Sequence, residues 1–304
     1  MPIPTAYTFT RYLAAKKTVD DRALNRQVWG ILKQSLSAGP LRVLEIGAGI
    51  GTMVERALSW DLLRQASYTA LDAEPSNITE ARRRLPQWAR DEGFRVEEKG
   101  MISLRRDTRA VSLTLEAIDL FDFITREQGH HTWDLLIAHA FIDLVDIPTT
   151  LPALLFLLPP GGLFYFSLVF DDATILQPDI EPAFDARIEQ LYHQTMDKRI
   201  IQGRPSGDSQ SGRHLFDHLR AAGVELLAAG GSDWVVFAGP HGYEADEAYF
   251  LHFIIQTVQS ALTGHAGLDT ACFADWIAQR HAQIDRGELI YIAHQLDFVG
   301  RRGT

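Results

Sequence analysis

Gly47, Gly49 and Gly51 stand at alternate positions after the apolar run Val43-Leu44-Glu45-Ile46. Glycine reaches backbone dihedrals closed to other residues and lets a ligand approach the main chain. The chemistry on offer is a backbone cradle, with Ala48 inside it and the Glu45 carboxylate facing the same cleft. Asp72 follows the strand-like run Tyr68-Thr69-Ala70-Leu71. An acid there can accept two hydrogen bonds from a ribose diol; a solvated strand-end Asp is the plainer reading. Asp119 closes another alternating run and suits an adenine amino group, with Leu120 or Phe121 over the ring and Asp122 a rival acid. His139 ends a further apolar run. Its imidazole suits proton transfer near neutrality, or else hydrogen-bonds backbone and shapes a pocket.

These residues act together only if a scaffold gathers strand ends. Val43 to Ile46 reads as a short buried strand, and Met53 to Leu58 as the helix after the glycine turn. Stretches 133–138 and 163–170 read as strands buried on both faces. Helices over 78–90 and 148–158 alternate with them, and Pro159-Pro160-Gly161-Gly162 is a hard turn. This alternation predicts a doubly wound α/β sheet. Stretches 94–102 and 110–118 predict a hairpin with a basic tip at Arg105, Arg106 and Arg109. Strand-like runs return at 224–229, 234–238 and 288–299. Asp20-Asp21 predicts the N-cap of a helix running to about Leu36. The whole chain, 1–304, reads as one domain: a leading helical segment (1–40), a core (41–170), and insertions at 171–212 and 240–286 that cover a pocket.

Composition excludes several classes. The 304 residues carry 29 Lys and Arg against 39 Asp and Glu, a formal charge of −10. That balance repels phosphate backbones and disfavours nucleic acid. Cys272 is the single cysteine, so neither an internal disulfide nor a thiolate metal site is expected, and the scattered histidines suggest no metal. The most apolar stretch, 151–170, is broken by prolines and glycines and is not a membrane span. With no signal peptide visible, a soluble cytoplasmic protein is expected.

In order, these pieces resemble the class I S-adenosylmethionine-dependent methyltransferases. The resemblance rests on Glu45-Ile46-Gly47-Ala48-Gly49-Ile50-Gly51, Asp72, Asp119-Leu120, the run Asp134 to Ala140, and Leu158-Pro159-Pro160-Gly161-Gly162-Leu163. It implies a mostly parallel seven-stranded Rossmann-like sheet, helices on both faces and an antiparallel last strand. It implies S-adenosylmethionine as cofactor and S-adenosylhomocysteine as product. The 47–51 turn would pass under the methionine part, with Glu45 at its polar end. Asp72 would hold the ribose, Asp119 and Leu120 the adenine, and His139 would lie near the methyl. A nicotinamide-dinucleotide turn wants Gly-x-Gly-x-x-Gly, and Thr52 occupies its last glycine position.

The insertions suggest a small-molecule acceptor, with Tyr7, Tyr12, Phe170, His193, Arg213, His241 and Tyr243 as candidate pocket residues. An RNA methyltransferase, motivated by Arg82, Arg83, Arg84 and the hairpin tip, is one alternative. A non-catalytic cofactor-binding scaffold is another. The sequence does not choose an oligomeric state.

Overall fold

The central strand is central because both its faces are apolar. In the computed structural model, which describes residues 3–127, 129, 132–201 and 203–303, β1 (Leu41–Ile46) sends Val43 to one buried layer and Leu44 and Ile46 to the other. Three short helices precede it: α1 (Phe9–Ala15), α2 (Lys17–Ala23) and α3 (Arg26–Ser35). After it come α4 (Thr52–Ser59), β2 (Gln65–Asp72), α5 (Pro75–Asp91), β3 (Arg95–Lys99), β4 (Met101–Arg106) and β5 (Arg109–Ala117). The chain continues through α6 (Leu120–Glu127), β6 (Leu135–His139), α7 (Ile147–Phe156), β7 (Leu163–Gln177) and α8 (Pro182–Asp197). A small hairpin, β8 (Ile200–Ile201) with β9 (Arg204–Pro205), leads to α9 (Ser211–Ala221) and β10 (Glu225–Gly231). Last are β11 (Trp234–Val236), α10 (Glu247–Leu262), α11 (Thr270–Asp285) and β12 (Ile290–Arg301).

The main sheet runs β10-β12-β7-β6-β1-β2-β5-β4-β3, with β11 also on β12. β1 pairs in parallel with β2 on one side and β6 on the other. β2 with β5 and β6 with β7 are parallel, and β12 runs antiparallel between β7 and β10. Chain order therefore reverses between β1 and β6, where doubly wound sheets open a ligand crevice. Helices α3, α4 and α5 cover one face, and α6, α7 and α9 the other.

This is the doubly wound sheet with an antiparallel last strand expected from the sequence, but among the described residues it has ten strands, not seven. Two extra strands come from the basic hairpin, whose first arm folds on itself at Gly100 to give β3 and β4. Gly100 takes φ +77°, which suits a tight reversal. The third is β11, which pairs with β12 beyond the end of β10. The leading segment also differs. Asn25, not Asp20 or Asp21, caps α3, accepting from the Gln27 and Val28 amides. Asp20 lies within α2, fully buried. No helix among the described residues is long and apolar enough to cross a membrane.

Candidate active site

A cavity of about 440 Å³ opens at the carboxyl ends of β1, β2, β5 and β6, at the reversal point. Gly47, Ala48 and Gly49 form part of its wall. Gly47 takes φ +65°, and a Cβ there would lie 2.4 Å from the Phe141 ring. The turn is held from both sides: the Ala48 amide donates to the Leu71 carbonyl, and the Gly49 amide donates to Asp72 Oδ2 at 2.8 Å. Asp72 Oδ1 accepts from the Glu74 amide at 2.9 Å and from Asn77 Nδ2 at 3.1 Å. A carboxylate offers about four acceptor positions, so Asp72 keeps capacity for a ligand. Asp119 opens α6 by accepting from the Phe121 amide at 2.8 Å.

Gly47, Ala48, Gly49, Asp72, Asp119, Leu120 and His139 thus share one cavity wall. Gly51 and Glu45 do not. Gly51 starts α4 at φ +83° and packs against Leu85. Glu45 points to the sheet face covered by α4, where strand alternation puts it, and is buried. It accepts from the Tyr68 hydroxyl at 2.8 Å. Burial pushes its carboxyl up to about 8, against the pull of Tyr68 and Arg56 downward. At neutral pH it is a protonated structural group rather than a ligand-facing carboxylate.

His139 lines the cavity, yet both its nitrogens are engaged inside the protein. Nδ1 lies 2.9 Å from Ser167 Oγ, and Nε2 lies 3.1 Å from both Asp20 Oδ2 and Arg56 Nη1. A proton on Nε2 satisfies these neighbours best: it donates to Asp20, while the Ser167 hydroxyl donates to Nδ1. Arg56 Nη1 then donates to Thr52 Oγ1 at 3.1 Å. Burial pushes the imidazole down to about 4, against Asp20, which pulls it up. Burial alone would raise the Asp20 carboxyl, but Lys16, His139 and Arg56 together hold it below its ordinary range. Trp234 Nε1 donates to its other oxygen at 2.9 Å. Sequence reading missed Lys16, Asp20, Arg56 and Trp234; only the four-residue spacing of Lys16 and Asp20 hinted at a pair.

The seven candidate pocket residues lie elsewhere. Tyr12 stacks on Phe253 at 4.2 Å, and Tyr7 sits edge-on to the same ring. Phe170 packs against His193, which bonds Thr174. Arg213 pairs with Asp171, Tyr243 donates to the Leu289 carbonyl, and His241 is exposed. None lines the cavity, because each is consumed by packing or pairing beside it or by the surface. The first insertion does reach the cavity, through Ile201, Arg204, Pro205 and Ser206. Its strap is tied down: Arg199 Nη2 donates to the Asp143 carbonyl and the Gly207 amide to the Val145 carbonyl. Arg204 lies over the Phe121 ring, 4.8 Å from its centroid. No residue of the second insertion, 240–286, lines the cavity.

Five of the six arginines that motivated an RNA substrate have partners within the protein. Arg82 donates to the Leu115 carbonyl, Arg83 pairs with Glu80 and Arg84 with Glu55. At the hairpin tip Arg106 donates to the Glu92 carbonyl and Arg109 pairs with Asp61. Arg105 at the same tip is exposed. Among the described residues no group of three or more His, Cys, Asp or Glu is arranged around a metal.

No protein-family model and no curated protein matches the chain. Solved structures are similar at low identity. One is a candidate methyltransferase from Bacillus halodurans: 10% identity, 92% of this chain, 100% of that chain, TM-score 0.49. Another is the YcgJ protein from Bacillus subtilis: 11% identity, 92% and 99% covered, TM-score 0.46. A third is geranyl diphosphate C-methyltransferase from Streptomyces coelicolor: 9% identity, 91% and 75% covered, TM-score 0.44. No residue role is carried over from them.

Proposed function

We propose that the protein is an S-adenosylmethionine-dependent methyltransferase acting on a small, largely apolar acceptor. The observation that carries this reading is the convergence of Gly47, Gly49, Asp72, Asp119 and Leu120 on one cavity wall. The residues present fit the cofactor. The carboxylates of Asp72 and Asp119 stand at neighbouring strand ends, suited to ribose hydroxyls and an adenine amino group. The glycine turn lines the cavity through Gly47, Ala48 and Gly49, and the cavity volume is in the range of small-molecule sites.

Bound S-adenosylmethionine supplies a methyl already activated on sulfur, and in-line transfer leaves S-adenosylhomocysteine. What remains for the chain is alignment and exclusion of water. Leu120 and Phe121 wall one end, and the Arg204 strap closes over Phe121. His139, with both nitrogens held, positions the wall; acting as a base would require it to break one of its bonds. Phe9, Leu144 and Ile201 line the cavity and remain 51%, 42% and 50% exposed. Apolar side chains left open at a mouth suit an apolar acceptor. Chemistry on such a metabolite fits the cytoplasm.

Thermal unfolding with S-adenosylhomocysteine or NAD is the direct test. A ligand at a hundred times its dissociation constant adds about 2.7 kcal/mol. Stabilisation by S-adenosylhomocysteine, largely lost in Asp72→Ala, is expected; stabilisation by NAD alone would overturn the reading. Release of S-adenosylhomocysteine from S-adenosylmethionine with a metabolite extract separates an enzyme from a cofactor-binding scaffold.

A further inference from the structure

The inner end of the cavity carries a buried cation that makes no hydrogen bond. Lys16 is 6% exposed and lines the cavity between α1 and α2. Its Nζ lies 3.0 Å from Asp20 Oδ2 but makes no hydrogen bond, and it stands 5.1 Å over the Trp234 ring. Asp20 is already claimed by Trp234, His139 and Arg56.

Lys16 belongs to a larger ion-pair network in which its carboxylate partner is shared. Lys16, Lys17, Arg56 and Arg84 form one connected set with Asp20, Asp21 and Glu55, four cations to three carboxylates. Burial raises the Glu55 carboxyl, which weakens the third. Asp143 is a further acid near both Lys16 and Arg199; Arg199 hydrogen-bonds its backbone carbonyl, and its buried Oδ1 makes no hydrogen bond. A buried ammonium with unused donors is costly to leave so, and a ligand oxygen that reached it would take them up. The acids that line the cavity are Asp72, Glu74 and Asp119, at the glycine-turn and α6 end, and Asp146, at the start of α7.

We propose that Lys16 binds a carboxylate at the inner end of the cavity. Two molecules could bring that group: the cofactor, through its aminoacyl carboxylate, or an acceptor bearing an acid. Only the first source rests on the cofactor reading above.

The experiment compares the wild type with Lys16→Met and Lys16→Arg by calorimetric titration. S-adenosylhomocysteine carries the carboxylate, whereas 5′-methylthioadenosine keeps the adenosine and thioether without it. If the cofactor is the source, Lys16→Met weakens S-adenosylhomocysteine at least tenfold, leaves methylthioadenosine within twofold, and Lys16→Arg recovers part of the loss. If the acceptor is the source, both nucleosides bind unchanged, and benzoate binding to the wild type is lost in Lys16→Met. Equal weakening of both nucleosides, or no change with any probe, overturns the proposal. Should the wild type bind neither nucleoside, the cofactor reading fails, and the benzoate titration alone decides for Lys16.

Discussion

His139 Nε2 and Asp20 Oδ2 lie 3.1 Å apart, joining the end of β6 to a helix 119 residues earlier in the chain. Through this contact the leading segment becomes part of the cavity wall rather than an appendage. Asp20 is the hub, since it also faces Lys16, Arg56 and Trp234. Removing one partner of a buried charge cluster leaves the others uncompensated, at a cost of about 3–5 kcal/mol. Asp20→Ala is therefore expected to lose roughly that much in urea unfolding. A loss under about 1 kcal/mol would mean the cluster is not closed in solution.

Glu45 makes a prediction of opposite sense in pH. Its folded carboxyl titrates near 8 against an ordinary value of 4.5. Between these values the unfolded chain releases a proton that the folded chain keeps, so stability falls as pH rises. Above 8 both forms are ionised and the loss is complete. Glu45→Gln cannot ionise, so its stability relative to the wild type should improve by up to about 4 kcal/mol from pH 5 to pH 8.5. Parallel pH profiles for the two proteins would show that Glu45 is ionised in the fold.

The His139 imidazole gives the acid limb. It titrates near 4 in the fold against an ordinary 6.5, so it stays neutral where the unfolded chain takes up a proton. Stability is whole above pH 6.5 and falls as pH drops toward 4, by order of 3 kcal/mol. His139→Gln should flatten that limb in acid titrations followed by circular dichroism. An unchanged limb would assign it to other groups, such as His281, which burial also pushes down to about 4.

What was legible in the sequence was local. The apolar runs of β1, β6 and β7 declare buried strands, and Gly47, Gly49, Asp72 and Asp119 derive their meaning from short spacing around strand ends. The Lys16–Asp20–Arg56–His139 cluster was not legible, because its members come from distant segments. A Lys and Asp four apart read as an ordinary solvated helix pair. Asp20-Asp21 looked like a cap because the helical spacing of Leu24, Val28, Ile31 and Leu32 runs straight through Asn25, itself a favoured cap residue and the one that α3 uses. The aromatic candidates failed for a related reason. Tyr12 stacked on Phe250 and Phe253 has the composition of a pocket wall and the packing of a core.

The strap over the cavity is held at its tip by Arg204 above Phe121. An exposed cation–π contact of this kind is worth about 0.5–1 kcal/mol. Arg204→Ala should release S-adenosylhomocysteine roughly two to five times faster in stopped-flow displacement, with little change in association. A slower association and unchanged release would place the strap in ligand entry instead.

Gly47 tests the turn itself. Alanine there would hold φ +65° against its own Cβ and drive that atom into the Phe141 ring. The backbone term costs about 1–2 kcal/mol, and the ring must move within the cavity wall it helps to form. Gly47→Ala should lose about 1–3 kcal/mol of stability and bind S-adenosylhomocysteine more than tenfold more weakly. The two effects separate in a double variant. Phe141→Ala removes the clash but not the dihedral strain, so Gly47→Ala with Phe141→Ala should bind more tightly than the losses of the two single variants added together. Strictly additive losses would mean that the ring and the turn do not meet, and that the glycine serves the ligand through its backbone alone.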